Sequence, residues 1–464
     1  MIDMCDTLIA EIDKKIEQSR DAVVADVIKL VNIPSEQGAP LPGSPFGEGP
    51  KKVLDEVLKM GEAEGFFGTD YGVGVVSVAM KAGQPDVGIW AHGDVVPAGD
   101  GWTFEPYNAK EYDGCIIGRG ATDNKGQIAA VFHVFKILKD MGIDLHYNPA
   151  VYVGSNEETG MADLVGLPDN PDAKGFLNVC TPPKLSLVPD SSFPVGYGGK
   201  GIVNITLKSK TALKSCVFDA AKSTSPGSAT AVFNGKELPK ELPLCTIEKD
   251  TVTAFTPPRH GASPDPNGNM VTNICTALLD YNLITEEERG VLEFFKQTSL
   301  DIYGEKLGIA TKHPVLGELT VFIKQIDYQD GYPEITLNIR YPLGITYEEI
   351  VKNTQEQADC YGFSLVTEKA GSKPYLLDPE TDTVRLLTDI ANSVTGENKP
   401  PYTLKGGTYA HRLPNAYVFG TDCNVPPASF EKGKGGAHGV DEAASVDRLI
   451  KTMKIYARTL LALN

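Results

Sequence analysis

The chain has no apolar run approaching the roughly 20 residues that a membrane-spanning helix needs. It has no basic block either. Against 61 acidic residues there are 43 lysines and arginines, and the resulting formal charge of −18 argues against nucleic-acid or anionic-membrane partners. The eight cysteines, at 5, 115, 180, 216, 245, 275, 360 and 423, include no CxxC pair, so neither a thiolate zinc knuckle nor a redox dithiol is indicated. Free, mostly buried thiols suit a reducing compartment. The opening MIDMCDTLIAEIDKKIEQSR reads as an acidic amphipathic helix without the basic region and apolar core of a secretory leader. A cytoplasmic protein is therefore expected. Short repeats and low-complexity segments are also missing.

What is present is enough chain for two or three domains. Helical periodicity covers about residues 5 to 31 and 49 to 64, and four short β-rich runs follow: VGVVSVAM, DVGIWAH, AVYVGS and KLSLVPD. Between the second and third runs, Ile128, Val131, Phe135 and Leu138 recur at helical spacing. Strands alternating with helices predict an α/β fold whose largely parallel sheet is covered by helices. After Asp190 the Gly-rich GYGGKG leads into an alternating strand, as at a crossing into another domain. In YPEITLNIRYPLG, Ile335, Leu337 and Ile339 alternate with Thr336, Asn338 and Arg340, which puts Arg340 on a polar face. A helix near 381 to 394, the strand NAYVFG and a closing helix near 445 to 462 restore the α/β pattern. The expected organisation is a catalytic domain of residues 1–194 and 371–464, interrupted by an inserted α+β domain at 195–370.

Acids and a histidine stand just beyond the short apolar runs. His92 and Asp94 follow GIWA, Glu157 and Glu158 follow AVYV, and Asp190 follows LSLV, while Asp123 sits in the Gly-rich loop GRGATDNKG. In an open α/β sheet such loops meet in one crevice at the carboxyl ends of the strands. Five acids and one imidazole cannot share a crevice without cationic partners, and divalent metal is the economical one. Two metal ions with open positions call for about five protein ligands, a second histidine among them. His438 stands out for that place because its loop, KGKGGAHGVDEAAS, is glycine-rich and flexible.

The ordered set HGD, GRGATDNKG, NEETG, PDSSF and AHGVDE resembles the co-catalytic zinc peptidases related to aminoacylase and carnosinase, and within them the bacterial Xaa-His dipeptidase (dipeptidase V) group. The resemblance spans residues 92 to 440. It implies that His92 and Asp190 bind one zinc, that Glu158 and His438 bind the other, and that Asp123 bridges them. It further implies a cis peptide after Asp123, an orienting role for Asp94 behind His92, and Glu157 as general base towards a metal-activated water. In RHGASPDPNGNM it assigns His260 to polarising the substrate carbonyl, with Asn269 at the usual asparagine position. That segment departs from the family pattern at Asn267, where a glycine is usual. Arg340 matches an arginine that grips the substrate carboxylate, and Gly407 and Thr408 of GGTYAHR match a Gly-rich segment that closes over it. The residues are also compatible with manganese or cobalt.

The inserted domain is long enough to act as a lid within one chain, which favours a monomer. A lid over a closed metal pocket leaves room for about two residues of a small peptide. The expected activity is a dipeptidase acting on unblocked L-dipeptides. The nearest alternative is an N-acyl-amino-acid amidohydrolase. A non-catalytic peptide- or metal-binding protein is a further alternative, against which Glu157 and the complete ligand set both speak.

Overall fold

The computed structural model describes residues 2–167, 170, 172–220, 227–256, 264–265, 267–431 and 433–464. Two compact units emerge. One comprises Met1–Tyr197, Leu377–Tyr402 and Thr408–Asn464; the other comprises Gly198–Leu376 with Thr403–Gly407.

The first unit is built on a mixed sheet. Its centre is parallel: Val87–His92 lies between Pro149–Gly154 and Leu185–Val188, and Ala416–Val418 continues beside Leu185–Val188. All six residues of Val87–His92 and of Pro149–Gly154 are buried, as near-continuous apolar strands in the middle of a covered sheet must be. The expected largely parallel central sheet flanked by helices is found, with antiparallel strands added towards its edges. Val75–Ala79 runs antiparallel to Pro149–Gly154, and Phe67–Asp70, exposed and not expected from its pattern, pairs antiparallel at the edge.

Alternation splits the central strands between two faces. Ile89, Ala91, Val151 and Val153 join the main core with residues of the helices Gly126–Asp140 and Val446–Ala462. Trp90 and Tyr152 point the other way and stack at 4.2 Å, with Phe176 edge-on to Trp90 at 5.0 Å. The closing helix starts at Ser445, whose hydroxyl accepts from the Arg448 N–H. The helix expected over residues 5 to 31 is two helices, Ile2–Gln18 and Arg20–Val31. Ser19 separates them, its hydroxyl bonded to the Ile16 carbonyl at 2.7 Å, a local alternative to helix continuation that serine favours.

The second unit holds an antiparallel eight-stranded sheet, with the helices Met270–Asp280 and Arg289–Leu300 contributing to its core. Its central hairpin joins Thr320–Gln329 to Tyr332–Tyr341 through Asp330 and Gly331, which have φ of 54° and 85°. Positive φ at both positions is what a two-residue hairpin turn requires, and Asp-Gly supplies it at low cost. Along Tyr332–Tyr341 the residues Ile335, Leu337 and Ile339 are buried, and Thr336, Asn338 and Arg340 occupy the other face at intermediate exposure. Among the described cysteines, Cys115, Cys216, Cys275 and Cys423 are buried free thiols. No helix of the described residues is long and apolar enough to cross a membrane.

Candidate metal centre

Three neighbouring parallel strands end side by side. Val87–His92 ends at His92, Pro149–Gly154 leads into Glu157 and Glu158, and Leu185–Val188 leads into Asp190. Asp123 comes from the irregular turn Ala121–Lys125, where its peptide bond to Asn124 is cis. His438 arrives from the loop before the closing helix with φ of 60°. All these residues belong to the first unit.

The side chains meet in a specific way. Asp123 Oδ1 lies 3.0 Å from His92 Nε2, whereas its Oδ2 lies 3.1 Å from His438 Nε2. The same His438 nitrogen is 3.1 Å from Glu158 Oε1, and His92 Nε2 is 3.9 Å from Asp190 Oδ1. Asp123 thus stands between a His92–Asp190 side and a His438–Glu158 side. Ligand atoms of His92, Asp123 and Glu158 lie within 4.8 Å of one another, as do those of His92, Glu157 and Asp190.

His92 Nδ1 donates to the main-chain carbonyl of Asp94 at 2.9 Å, which leaves the Nε2 lone pair facing the acids. The Asp94 carboxylate is 3.6 Å from the same ring nitrogen. Its oxygens instead accept the main-chain N–H groups of Glu157 and Glu158 at 3.1 and 3.0 Å. Asp94 therefore orients the imidazole through its backbone and the Glu157–Glu158 pair through its side chain.

Burial raises Glu157 well above the usual carboxylate range, with Asp190 adding to it, and burial together with Asp123 raises Glu158 and Asp190. Burial opposes charge on His438, yet Asp123 and Glu158 push it up to about 11; His92 is likewise held high by Asp123 and Asp94. Asp123 is held far below its ordinary value by His438 and His92 despite its burial. Burial and the mutual fields of acids and imidazoles cause these shifts, and so many buried carboxylates call for positive charge. Divalent ions supply such charge, and their binding displaces protons from the ligands. The donor set of carboxylates and imidazoles suits zinc, manganese or cobalt. Glu157 Oε1 adds a direct sign of fit, being buried without a hydrogen-bond partner in the protein.

In the second unit, Arg340 Nε donates to Asn338 Oδ1 at 3.2 Å and its Nη1 to the Lys405 carbonyl at 2.6 Å. No carboxylate pairs with it among the described residues. Asn269 caps the helix Met270–Asp280, its Oδ1 accepting from Val271 and Thr272. Gly407 belongs to the same unit, while Thr408 lies buried in the first, where its hydroxyl accepts from the Ala410 N–H. His260 lies outside the described residues.

Several supporting residues carry no signal in periodicity or spacing. Asn124 Nδ2 reaches the Pro189 carbonyl at 2.8 Å and Asp190 Oδ1 at 3.3 Å, tying the Asp123 turn to Asp190. Asp163, fully buried and raised by burial to about 7, accepts from the Ser155 and Asn156 N–H groups and from the Tyr409 hydroxyl. Gly154 makes room for this, since a Cβ there would collide with both the Tyr409 hydroxyl and the Asp163 carboxylate. Arg119 and Glu442 form a buried pair beneath the Asp123 turn. Both stand inside motifs noted in the sequence, GRGATDNKG and AHGVDE, but nothing in those motifs says that they meet.

Residues 88–462 match the family described as peptidase family M20/M25/M40. A Bacillus subtilis (strain 168) protein named "Putative dipeptidase YtjP" is 28% identical over 456 residues, covering 91% of this chain and 92% of its own length. Among solved structures, human carnosine dipeptidase 1 superposes with a TM-score of 0.62 at 16% identity, covering 98% of both chains. The dipeptidase Dug1p of Saccharomyces cerevisiae gives 0.57 at 14% identity, covering 97% of this chain and 98% of its own.

Proposed function

The chain belongs to peptidase family M20/M25/M40 and is a metallopeptidase, and we propose that within this family it is a dinuclear zinc dipeptidase cleaving unblocked L-dipeptides. One observation carries the reading. The two oxygens of Asp123 face different imidazoles, His92 and His438, as a carboxylate shared between two ions requires. His92 and Asp190 would hold one ion, Glu158 and His438 the other, and Asp123 both. Bound zinc supplies Lewis acidity towards the scissile carbonyl and a water whose pKa is lowered towards about 7.

Glu157 acts as the general base. Its buried, unpartnered Oε1 takes the proton of the attacking water and returns it to the leaving amine nitrogen. Asp94 keeps the base in place through the Glu157 N–H and leaves His92 Nε2 available as a ligand atom.

Arg340 binds the substrate carboxylate; a guanidinium without an acidic partner among the described residues is suited to that. His260 polarises the carbonyl oxygen, and Asn269, Gly407 and Thr408 contribute donors around the substrate. These assignments rest on their motifs. The name of the Bacillus subtilis relative supports a dipeptide substrate. A monomer in the cytoplasm, its inserted domain serving as the lid, completes the proposal.

The test is a paired assay of a free dipeptide and its N-acyl counterpart. Faster hydrolysis of the free dipeptide is expected. Preference for the blocked compound would instead make the protein an amidohydrolase releasing acyl groups, and failure to cleave either with zinc bound would leave a binding protein.

A further inference from the structure

We infer that Arg119 and Glu442 are positioning residues of the metal centre, a buried ion pair that sets Asp123 and His438 against each other. The inference rests on the metal centre as read above.

Arg119 and Glu442 are 1% and 0% exposed, and Arg119 Nη1 meets Glu442 Oε2 at 2.7 Å. Apart from Arg119 Nε, which is buried without a hydrogen-bond partner among the described residues, their other polar atoms reach nearby backbone. Glu442 Oε2 accepts from the Gly120 N–H at 3.0 Å, and its Oε1 accepts from the N–H groups of Thr122 at 2.9 Å and of Asp123 at 3.0 Å. Arg119 Nη2 reaches the carbonyl of His438 at 3.3 Å and that of Ala98 at 3.4 Å. One partner thus grips the backbone of the turn carrying Asp123, and the other grips the backbone of the loop carrying His438.

The main chain prepares this meeting. Cys115–Ile117 pairs with Ala443–Ser445, and the Gly118 N–H bonds to the Glu442 carbonyl at 2.9 Å. That pairing brings the two segments together but does not itself reach Asp123 or His438. The loops need holding. His438 stands at φ 60°, a left-handed conformation that a side chain normally disfavours.

Stability alone is a poor account of the pair. Two charges buried together lose hydration that their attraction does not reliably return, and apolar replacements of similar volume are often as stable or more so. What apolar side chains cannot do is accept three backbone N–H groups and donate to a carbonyl. Because Asp123 faces both His92 and His438, a shift of its turn disturbs both sides of the centre at once.

The experiment uses the full-length chain stripped of metal and titrated calorimetrically with zinc alone, with cobalt absorption spectra recorded in parallel. Glu442→Gln and the apolar double variant Arg119→Met with Glu442→Leu are compared with Arg119→Lys, which keeps the charge and a donor. Thermal unfolding of the metal-free proteins reports folding separately. We expect zinc affinity to fall about 10- to 100-fold in Glu442→Gln and in the double variant, the range seen when supports behind ligands are removed. Cobalt bands should change shape, Arg119→Lys should recover part of the loss, and metal-free unfolding midpoints should not follow the affinities. Unchanged zinc affinity and unchanged cobalt bands in Glu442→Gln and Arg119→Lys overturn the inference, as does a loss that merely tracks metal-free unfolding. If the wild-type chain itself takes up no zinc, the metal centre fails as a reading, a result distinct from either.

Discussion

Asp123 Oδ2 lies 3.1 Å from His438 Nε2, although one residue comes from a turn early in the chain and the other from the loop before its last helix. Only the folded first unit brings them together, so the centre they form is a property of the fold and of what fills it. Chelation and dialysis are expected to abolish peptide hydrolysis, and zinc to restore it. Zinc at 100 times its dissociation constant should also add about 2.7 kcal/mol of stability for each bound ion, read as a rise in thermal midpoint. His438→Ala is expected to lower the bound metal from two ions to one by elemental analysis. Retention of both ions would remove His438 from the ligand set.

Glu157→Gln separates chemistry from metal binding. The amide nearly preserves shape but cannot take a proton from water. We expect kcat to fall roughly 10² to 10⁴-fold, with zinc content and KM little changed. A variant with wild-type turnover would exclude Glu157 as the base.

Arg340→Met tests recognition of the substrate carboxylate. Charge-assisted hydrogen bonds contribute roughly 1.5 to 3 kcal/mol, so kcat/KM should fall about 10- to 150-fold for a free dipeptide. The carboxyl-terminal amide of the same dipeptide should lose much less. Equal losses on both compounds would mean that Arg340 acts on something other than the carboxylate.

Glu288 offers a pH test of stability away from the metal centre. Its carboxylate accepts from the main chain of Lys214, Ser215 and Thr285 and from the hydroxyls of Ser215 and Thr285. Burial works against its charge, but those donors win and hold it at about 2, below the ordinary 4.5. A depressed folded-state value stabilises the protein above the unfolded-state value, and the contribution disappears as pH falls from about 4.5 through about 2. Glu288→Gln should therefore cost about 2 to 3 kcal/mol near neutral pH by denaturant unfolding. The difference from wild type should shrink as the pH is lowered towards 2. A constant difference across that range would show that the carboxylate charge is not the source.

Much of this protein was legible before folding because burial writes itself into local pattern. Val87–His92, Pro149–Gly154 and Leu185–Val188 coincide with apolar runs, and the acids and histidine that follow them fall where a parallel sheet delivers its loops. Alternation along Tyr332–Tyr341 placed Arg340 on the polar face, where it is found. Periodicity did not reveal the break at Ser19, where one hydroxyl competes for a helical carbonyl. Nor did it reveal the antiparallel edge of the first sheet, because strand direction is set by connections and not by composition.

The amino-acid order by itself determined the central strands and most of the long helices, which of their ends carry acids and imidazoles, and that such a cluster calls for cations. Those are consequences of local spacing and charge. Tertiary structure alone decided that Asp123 turns one oxygen to each histidine, that Asp94 spends its carboxylate on the Glu157 and Glu158 backbone, and that Arg119 finds Glu442. Each of those is a contact between polar groups distant along the chain. Its distance and direction exist only once the sheet has closed around it.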